Sequence, residues 1–257
     1  MTIVMGGFFE GLYWESGVLD FFSKKENDIN LYTSSIGSLR GLFYSKYGSN
    51  FFLRLKSFLA EKDNPLNEII KSSELYHSRY AQTTALIRLG RGKLSLYDSN
   101  TLKKFLMDYF EDETIGSLGD NIHFEVLELK SREIITLNKN IKIVDMLMME
   151  LAFPPYYGYY EFEGGYFIPS SFLSFIPQKF PKDSMVIAFD SSLRYPYPKN
   201  TVEILLKTSY SRTLKNYRII TENIRTIEPK KTPNSYFNMS AFFDGQNDAK
   251  EFMEVEL

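Results

Sequence analysis

The 257-residue sequence contains no cysteine, only two histidines and a single tryptophan. The absence of cysteine excludes a disulfide scaffold, a zinc ribbon, an iron–sulfur site and a thiol nucleophile, and it suits a reducing compartment. The histidines, His77 and His123, are too few for a histidine-rich metal cluster. We therefore expect both to be structural or exposed, and we expect the protein to use no metal and no cofactor.

An excess of charge of one sign is missing as well. The sequence has 30 Lys and Arg residues against 32 Asp and Glu residues, which gives a formal net charge of −2. Because such a chain lacks the basic surface that a phosphate backbone attracts, we expect no nucleic-acid partner.

Long hydrophobic runs are also absent. The most apolar stretch, residues 143–153, is interrupted by Asp145 and Glu150, and it is much shorter than the ~20 residues that a transmembrane helix needs. The first residues lack the basic and apolar regions of a targeting peptide. We expect a cytoplasmic or otherwise soluble protein that makes at most transient contact with a membrane surface. The sequence leaves the oligomeric state open.

Short apolar runs that alternate with helical segments predict an α/β fold. Residues 2–5 predict a buried strand that ends in a Gly-Gly turn, and residues 12–22 predict a helix. A second strand at 29–32 and a second helix at 34–46, which Gly48 ends, complete a strand–helix–strand–helix unit. Short connections of this kind imply parallel strands.

The rest of the sequence continues the mixed pattern. The further predicted elements are a helical region between residues 51 and 110, a strand pair at 121–129 and 133–137, a helix at 141–151, a strand at 185–189 and a helix at 201–221. From residue 228 the chain is polar and is expected to wrap around the body. We predict a single domain over residues 1–257, with its core at about 2–190 and a C-terminal helix and wrapping tail at 200–257.

Two of three candidate chemical segments follow the first two strands. Gly6, Gly7 and Gly11 could direct backbone N–H groups at a phosphate or at the oxyanion of acyl transfer, although Gly-Gly also makes an ordinary turn. Ser35, with Gly37 two residues later, stands between a strand and a helix, as in a nucleophile elbow. The same segment also suits a plain serine N-cap.

The third candidate segment is the aromatic run from residue 156 to residue 167. Within it, Glu163 precedes Gly164 and Gly165. A carboxylate where a strand gives way to an open turn is a usual place for a catalytic acid or base, and it is equally typical of a solvated hairpin end. The aromatic side chains either line an acyl channel or pack the strands.

Together the three segments resemble the patatin-like phospholipase family, which consists of lipid acyl hydrolases with a Ser–Asp dyad. The corresponding segments are the glycine turn at 6–11 with Gly17-Val18-Leu19 after it, the elbow at 33–39, the Pro-rich turn at 153–155, the Glu163-Gly164-Gly165 segment and the strand at 185–190. The resemblance spans roughly residues 2–190. It implies a three-layer α/β fold in which helices flank a central, mainly parallel sheet.

The resemblance also assigns roles to individual residues. It implies that Ser35 is the nucleophile, that Gly37 belongs to the elbow and that Glu163 is the base, in place of the family's Asp. The implied oxyanion hole consists of the backbone N–H groups of Gly6, Gly7 and Phe8. The implied substrate is a lipid ester, and the reaction needs no cofactor.

Four positions depart from the family pattern: Phe8 replaces the third glycine, Glu10 the basic residue, Thr33 the first elbow glycine and Glu163 the aspartate. They leave two hypotheses. The chain is either a serine-dependent lipid acyl hydrolase or a pseudoenzyme that keeps the fold as a lipid- or protein-binding module.

Overall fold

The computed structural model describes residues 1–7, 9–26, 28–67, 83, 86–87, 90–91, 95–154, 156–189, 201–231 and 238–256. The strands are β1 Thr2–Met5, β2 Asn30–Thr33, β3 Ile122–Glu128, β4 Glu133–Thr136, β5 Tyr160–Phe162, β6 Gly165–Pro169, β7 Met185–Ile187 and β8 Arg225–Ile227. The helices are α1 Leu12–Ser23, α2 Ile36–Tyr47, α3 Phe51–Ala60, α4 Ser99–Phe110, α5 Ile143–Glu150, α6 Thr201–Thr221 and α7 Met239–Glu256.

The sheet has a parallel half and an antiparallel half. Strand β1 lies between β2 and β7, β2 pairs with β3 and β7 pairs with β8, and all four pairings are parallel. Strand β3 pairs with β4 and β6, and β6 with β5, and these three pairings are antiparallel. Ile3, Val4 and Met5 of β1 are fully buried, as expected of a strand that helices cover on both faces.

Strands β2 and β6 lie along the same edge of β3. The Leu31 amide donates to the Asn121 carbonyl, and the Leu129 amide donates to the Tyr166 carbonyl, both at 2.8 Å. Alternate residues of a strand direct their backbone groups to the same side. Since residues 121 and 129 are separated by an even number of positions, β2 covers the first half of this edge and β6 the second.

The end of β6 therefore lies next to the end of β2. Thr33 of β2 pairs with Phe124, and Pro169 of β6 pairs with Val126, two residues further along β3. This arrangement brings the chain that follows β6 onto the turn that follows β2.

Helices cover both faces of the sheet, and the predicted three layers are confirmed. On one face Ile3 and Met5 belong to the large core that α1, α2 and α5 help to build. On the other face Val4 packs in a smaller cluster with Val186 and with Tyr217 of α6.

The C-terminal segment corrects the expectation of a wrapping polar tail, because residues 239–256 form helix α7. Helix α7 lies directly on α1. A Cβ atom on Gly17 would collide with the carbonyl oxygen of Phe242, and one on Gly245 with that of Trp14. The Trp14 indole also donates to Asp248 Oδ2 at 2.8 Å.

The predicted helical region at 51–110 is confirmed at its two ends by α3 and α4. Most of the chain between them lies outside the described residues, as do His77, Phe8, Pro155 and Asp190.

Candidate active site at the strand-to-helix turn

Ser35 occupies a strained turn between β2 and α2. Its backbone has φ 57° and ψ −127°, a region that residues with a Cβ atom rarely adopt. The next turn of chain is packed against β1, because a Cβ atom on Gly37 would collide with the Met5 carbonyl. The local geometry is that of a nucleophile elbow, although Ser35 is only 1% exposed.

A buried carboxyl group that sequence reasoning did not assign to the site lies beneath this turn. Glu150 Oε2 accepts hydrogen bonds from the Ser35 amide at 2.6 Å and from Ser34 Oγ at 3.2 Å. The side chain is fully buried, and among the described residues Oε1 has no hydrogen-bond partner. Burial raises the pKa of Glu150 well above its usual value, although hydrogen bonds from Ser35, Ser38 and Ser34 act in the opposite direction.

The sequence did contain a signal for Glu150. Glu150 follows Met146 by four positions and Leu147 by three, so it lies on the apolar stripe of α5. A carboxylate on such a stripe requires polar partners in the core. Its partners on the elbow, 115 residues earlier in the chain, could not be read from that spacing.

The chain that leaves β6 reaches the elbow with hydroxyl groups. Ser170 Oγ donates to Ser34 Oγ at 3.2 Å, and the Ser171 amide donates to the same oxygen at 3.1 Å. Ser170 is fully buried and Ser171 is 2% exposed. The groups that the chain after β6 brings to the elbow are thus a hydroxyl and an amide rather than a carboxylate.

The glycine turn after β1 is filled by the same stretch of chain. Gly7 has φ 85°, and its amide donates to the Phe175 carbonyl at 2.7 Å. The Phe175 carbonyl also occupies the space where a Cβ atom on Gly6 would lie. In this arrangement the Gly7 amide is hydrogen-bonded within the protein and does not face a substrate oxygen. The third predicted oxyanion donor, Phe8, lies outside the described residues.

The structure does not bring Glu163 to Ser35. Glu163 is exposed in the turn between β5 and β6. At about 3.3 Å per residue, the four steps from Gly165 to Pro169 separate it from the elbow by about 13 Å of strand. Glu163 instead lines a groove of about 230 Å³ between β4, β6 and α5, and the buried residues Leu137 and Met149 lie in its wall.

A buried ion pair lies behind the glycine turn. Arg40 of α2 pairs with Glu15 of α1, and both side chains are fully buried. Arg40 Nη2 donates to the Gly6 carbonyl at 2.9 Å, and the Phe189 amide donates to Glu15 Oε1 at 3.1 Å. Burial raises the pKa of Glu15 and lowers that of Arg40, while their mutual attraction opposes both shifts. Glu10 stands in the turn where the family has a basic residue. In this chain the cation that contacts the turn is Arg40 of α2, through the Gly6 carbonyl.

Among the described residues, no three His, Asp and Glu side chains form a group that could hold a metal ion. Among the helices that these residues form, none is both long and apolar enough to cross a membrane.

Comparisons with known proteins identify a family. The model of the family described as patatin-like phospholipase matches residues 3–180. The chain is also similar to the solved structure of the heterodimeric complex ExoU-SpcU from the type III secretion system of Pseudomonas aeruginosa, with 13% identity and a TM-score of 0.46. That match covers 100% of this chain and 51% of the other, so this chain spans about half its length. A search of curated proteins found no match.

Proposed function

The chain belongs to the patatin-like phospholipase family, and within that family we propose that it is a lipid-binding member that no longer hydrolyses esters. Its fold would then serve as a binding module. The proposal follows the second of the two hypotheses that the sequence left open, and it depends mainly on the groups that surround Ser35.

The observation that carries the proposal is which residues contact the elbow from β6. A serine nucleophile needs a general base within hydrogen-bond reach, about 2.6–3.2 Å. The residues that reach the elbow from β6 are Ser170 and Ser171. Glu163, the carboxylate that the resemblance implied, lies at the opposite end of that strand.

Two further features support the loss of catalysis. The Gly7 amide donates to Phe175, so it cannot stabilise an oxyanion while that bond exists; one missing donor lowers the rate of comparable enzymes by about 10²–10³. The Glu150 carboxyl group, which contacts the elbow, binds the Ser35 backbone from inside the core. Its raised pKa favours the neutral form, which is a poor proton acceptor.

Binding of lipid, rather than its hydrolysis, is supported by the groove beside Glu163. Its apolar lining comes from β4, the segment between β4 and α5, α5, β5 and β6, and it consists of Ile135, Leu137, Ile141, Met149, Phe162 and Phe167. Thr136, Asn138 and Glu163 also line the groove. At about 230 Å³ the groove is smaller than ligand pockets of about 300–1,000 Å³, so it would take only part of an acyl chain.

The test compares the full-length protein with Ser35→Ala. We expect neither protein to be labelled by a fluorophosphonate probe, and neither to release fatty acid from phospholipid vesicles or nitrophenol from a short-chain ester. We expect both to bind the vesicles equally in a sedimentation assay. Labelling or ester hydrolysis that disappears in Ser35→Ala would overturn the proposal.

One observation favours the alternative, a serine-dependent lipid acyl hydrolase. Ser35 keeps a backbone conformation that costs of the order of 1–3 kcal/mol, and such strain is concentrated at active sites. In that case the chain around Phe175 would have to leave Gly7, and a carboxylate would have to approach Ser35. Hydrolysis that is lost in Ser35→Ala and also in Glu163→Gln would support this alternative with Glu163 as base.

A further inference from the structure

Helix α6 is anchored on one side to the chain that fills the glycine turn. Thr213 Oγ1 donates to the Phe172 carbonyl and Asn216 Nδ2 donates to the Leu173 carbonyl, both at 2.9 Å. The ring of Tyr217 packs against Phe175. These contacts fix which side of α6 faces outward.

The outward side of α6 is an arc of about 120°, since successive residues of a helix are rotated by about 100°. The arc consists of Ile204, Thr208, Ser211, Arg212, Lys215, Arg218 and Ile219, all of which are exposed. We call this set the α6 arc.

The α6 arc combines three cations with two exposed apolar side chains. Arg212, Lys215 and Arg218 form no ion pair with the described residues. Ile204 is 50% exposed and Ile219 is 62% exposed. Ile219 directly follows Arg218, whereas Ile204 precedes Arg212 by about 12 Å along the helix.

The charge of the α6 arc is opposite to that of the chain as a whole. The arc carries three positive charges, and its first acidic neighbour beyond the helix is Glu222, whereas the chain has a formal net charge of −2. A concentration of positive charge on one helix of an acidic protein is a local feature of that surface and does not follow from composition.

We propose that the α6 arc docks on the surface of an anionic lipid bilayer. The inference rests on the proposed function, because it names the lipid surface that the chain binds. Each Lys or Arg next to an anionic leaflet contributes about 1 kcal/mol. The two isoleucines, at either end of a helix that lies flat, can enter the interfacial region while the cations contact the headgroups.

Only α6 and the chain at residues 172–175 would then lie between the bilayer and the glycine turn. The helix that carries the arc holds Phe172 and Leu173 through its inner side chains. Two residues later, the Phe175 carbonyl accepts the hydrogen bond from Gly7. Docking on the arc would therefore place a lipid surface behind the chain that closes the glycine turn.

The experiment measures sedimentation of the full-length protein with two kinds of vesicle. One kind consists of phosphatidylcholine alone, and in the other a third of the lipid is phosphatidylglycerol. We expect binding to the anionic vesicles only, and we expect high salt to weaken it because salt screens exposed charges. The variant Arg212→Ala/Lys215→Ala/Arg218→Ala should bind about a hundredfold more weakly, which corresponds to three charges at about 1 kcal/mol each.

A matched control removes the same number of charges elsewhere. Lys56, Lys104 and Lys130 are exposed on α3, on α4 and after β3, and their triple alanine variant should bind within about threefold of wild type. If both triple variants lost the same affinity for vesicles, binding would depend only on the net charge of the protein, and the proposal would be overturned. Absence of vesicle binding, or equal binding to both kinds of vesicle, would also overturn it.

Fatty acid release, measured in the same samples, separates this inference from the proposed function. A protein that binds through the α6 arc and also hydrolyses the lipid would overturn the proposed function while supporting the docking surface. A protein that neither hydrolyses nor depends on the arc for binding would overturn the docking surface alone.

Discussion

The backbone amide of Ser35 donates a 2.6 Å hydrogen bond to Glu150 Oε2, a carboxyl oxygen that is buried beneath the elbow. This contact gives the strained turn a support from inside the core, in addition to the close packing of Gly37 on Met5. It explains how the elbow keeps its conformation although Glu163, among the described residues, lies at the far end of β6. The same contact makes the elbow sensitive to the protonation of Glu150.

Replacement of Glu150 by glutamine should change how stability depends on pH. Burial raises the pKa of Glu150 in the folded protein, so above the pKa of the unfolded chain only the unfolded state releases the proton. Stability is therefore highest at low pH and falls as the pH rises towards the folded pKa, by at most about 1.4 kcal/mol per pH unit for one group. In Glu150→Gln this contribution disappears, and urea unfolding between about pH 5 and 8 should show a shallower fall.

The matched control is Glu161→Gln, because Glu161 is an exposed residue of β5. We expect this variant to follow the pH dependence of the wild type. Identical slopes for wild type and Glu150→Gln would show that Glu150 does not carry a proton in the folded state at these pH values.

Glycine at position 35 should stabilise the protein relative to alanine. Both variants lose the hydroxyl group, but only glycine adopts φ 57° without strain. The relief of about 1–3 kcal/mol exceeds the extra flexibility that glycine gives the unfolded chain. We expect Ser35→Gly to be about 1 kcal/mol more stable than Ser35→Ala in urea unfolding.

The same pair of substitutions at Ser38 provides the control. Ser38 lies within α2, where the backbone is helical, so glycine should be less stable than alanine there by about 1 kcal/mol. If glycine were also the less stable residue at position 35, the elbow would not be strained.

Local patterns predicted the strand and helix around Ser35 correctly. The apolar run of β1, the strand–helix unit around Ser35 and the position of Gly37 each depend on neighbours in the sequence. The acid could not be placed in this way. Which end of the β5–β6 hairpin meets the elbow depends on the pairing of Pro169 with Val126, a contact between segments that lie far apart in the chain.

The buried pair of Glu15 and Arg40 should be strongly coupled. In Arg40→Met the Glu15 carboxylate loses its counter-ion within the core, and removal of one partner from such a pair costs about 3–5 kcal/mol. In Glu15→Gln/Arg40→Met no unpaired charge remains, so the double variant should be more stable than Arg40→Met alone. Urea unfolding of the full double-mutant cycle measures the coupling.

An exposed ion pair on α7 serves as the comparison for this cycle. Lys250 pairs with Glu254, and their side chains are 64% and 63% exposed. Lys250→Ala should therefore change the unfolding free energy by less than about 1 kcal/mol. Additive effects of the Glu15 and Arg40 substitutions would contradict the coupling.

The contact between α1 and α7 should be intolerant of any side chain at position 17. A Cβ atom on Gly17 would overlap the Phe242 carbonyl of α7, and a backbone carbonyl cannot move aside without shifting the helix. Although alanine favours a helix by about 1 kcal/mol over glycine, overpacking costs about 1–3 kcal/mol and here also separates Trp14 from Asp248. We expect Gly17→Ala to lower the unfolding free energy, whereas Gly90→Ala, with no atom of the described residues within 4 Å of the new Cβ atom, should leave it unchanged or raise it. If Gly17→Ala stabilised the protein as much as Gly90→Ala, α7 would not pack on α1 as closely as the structure shows.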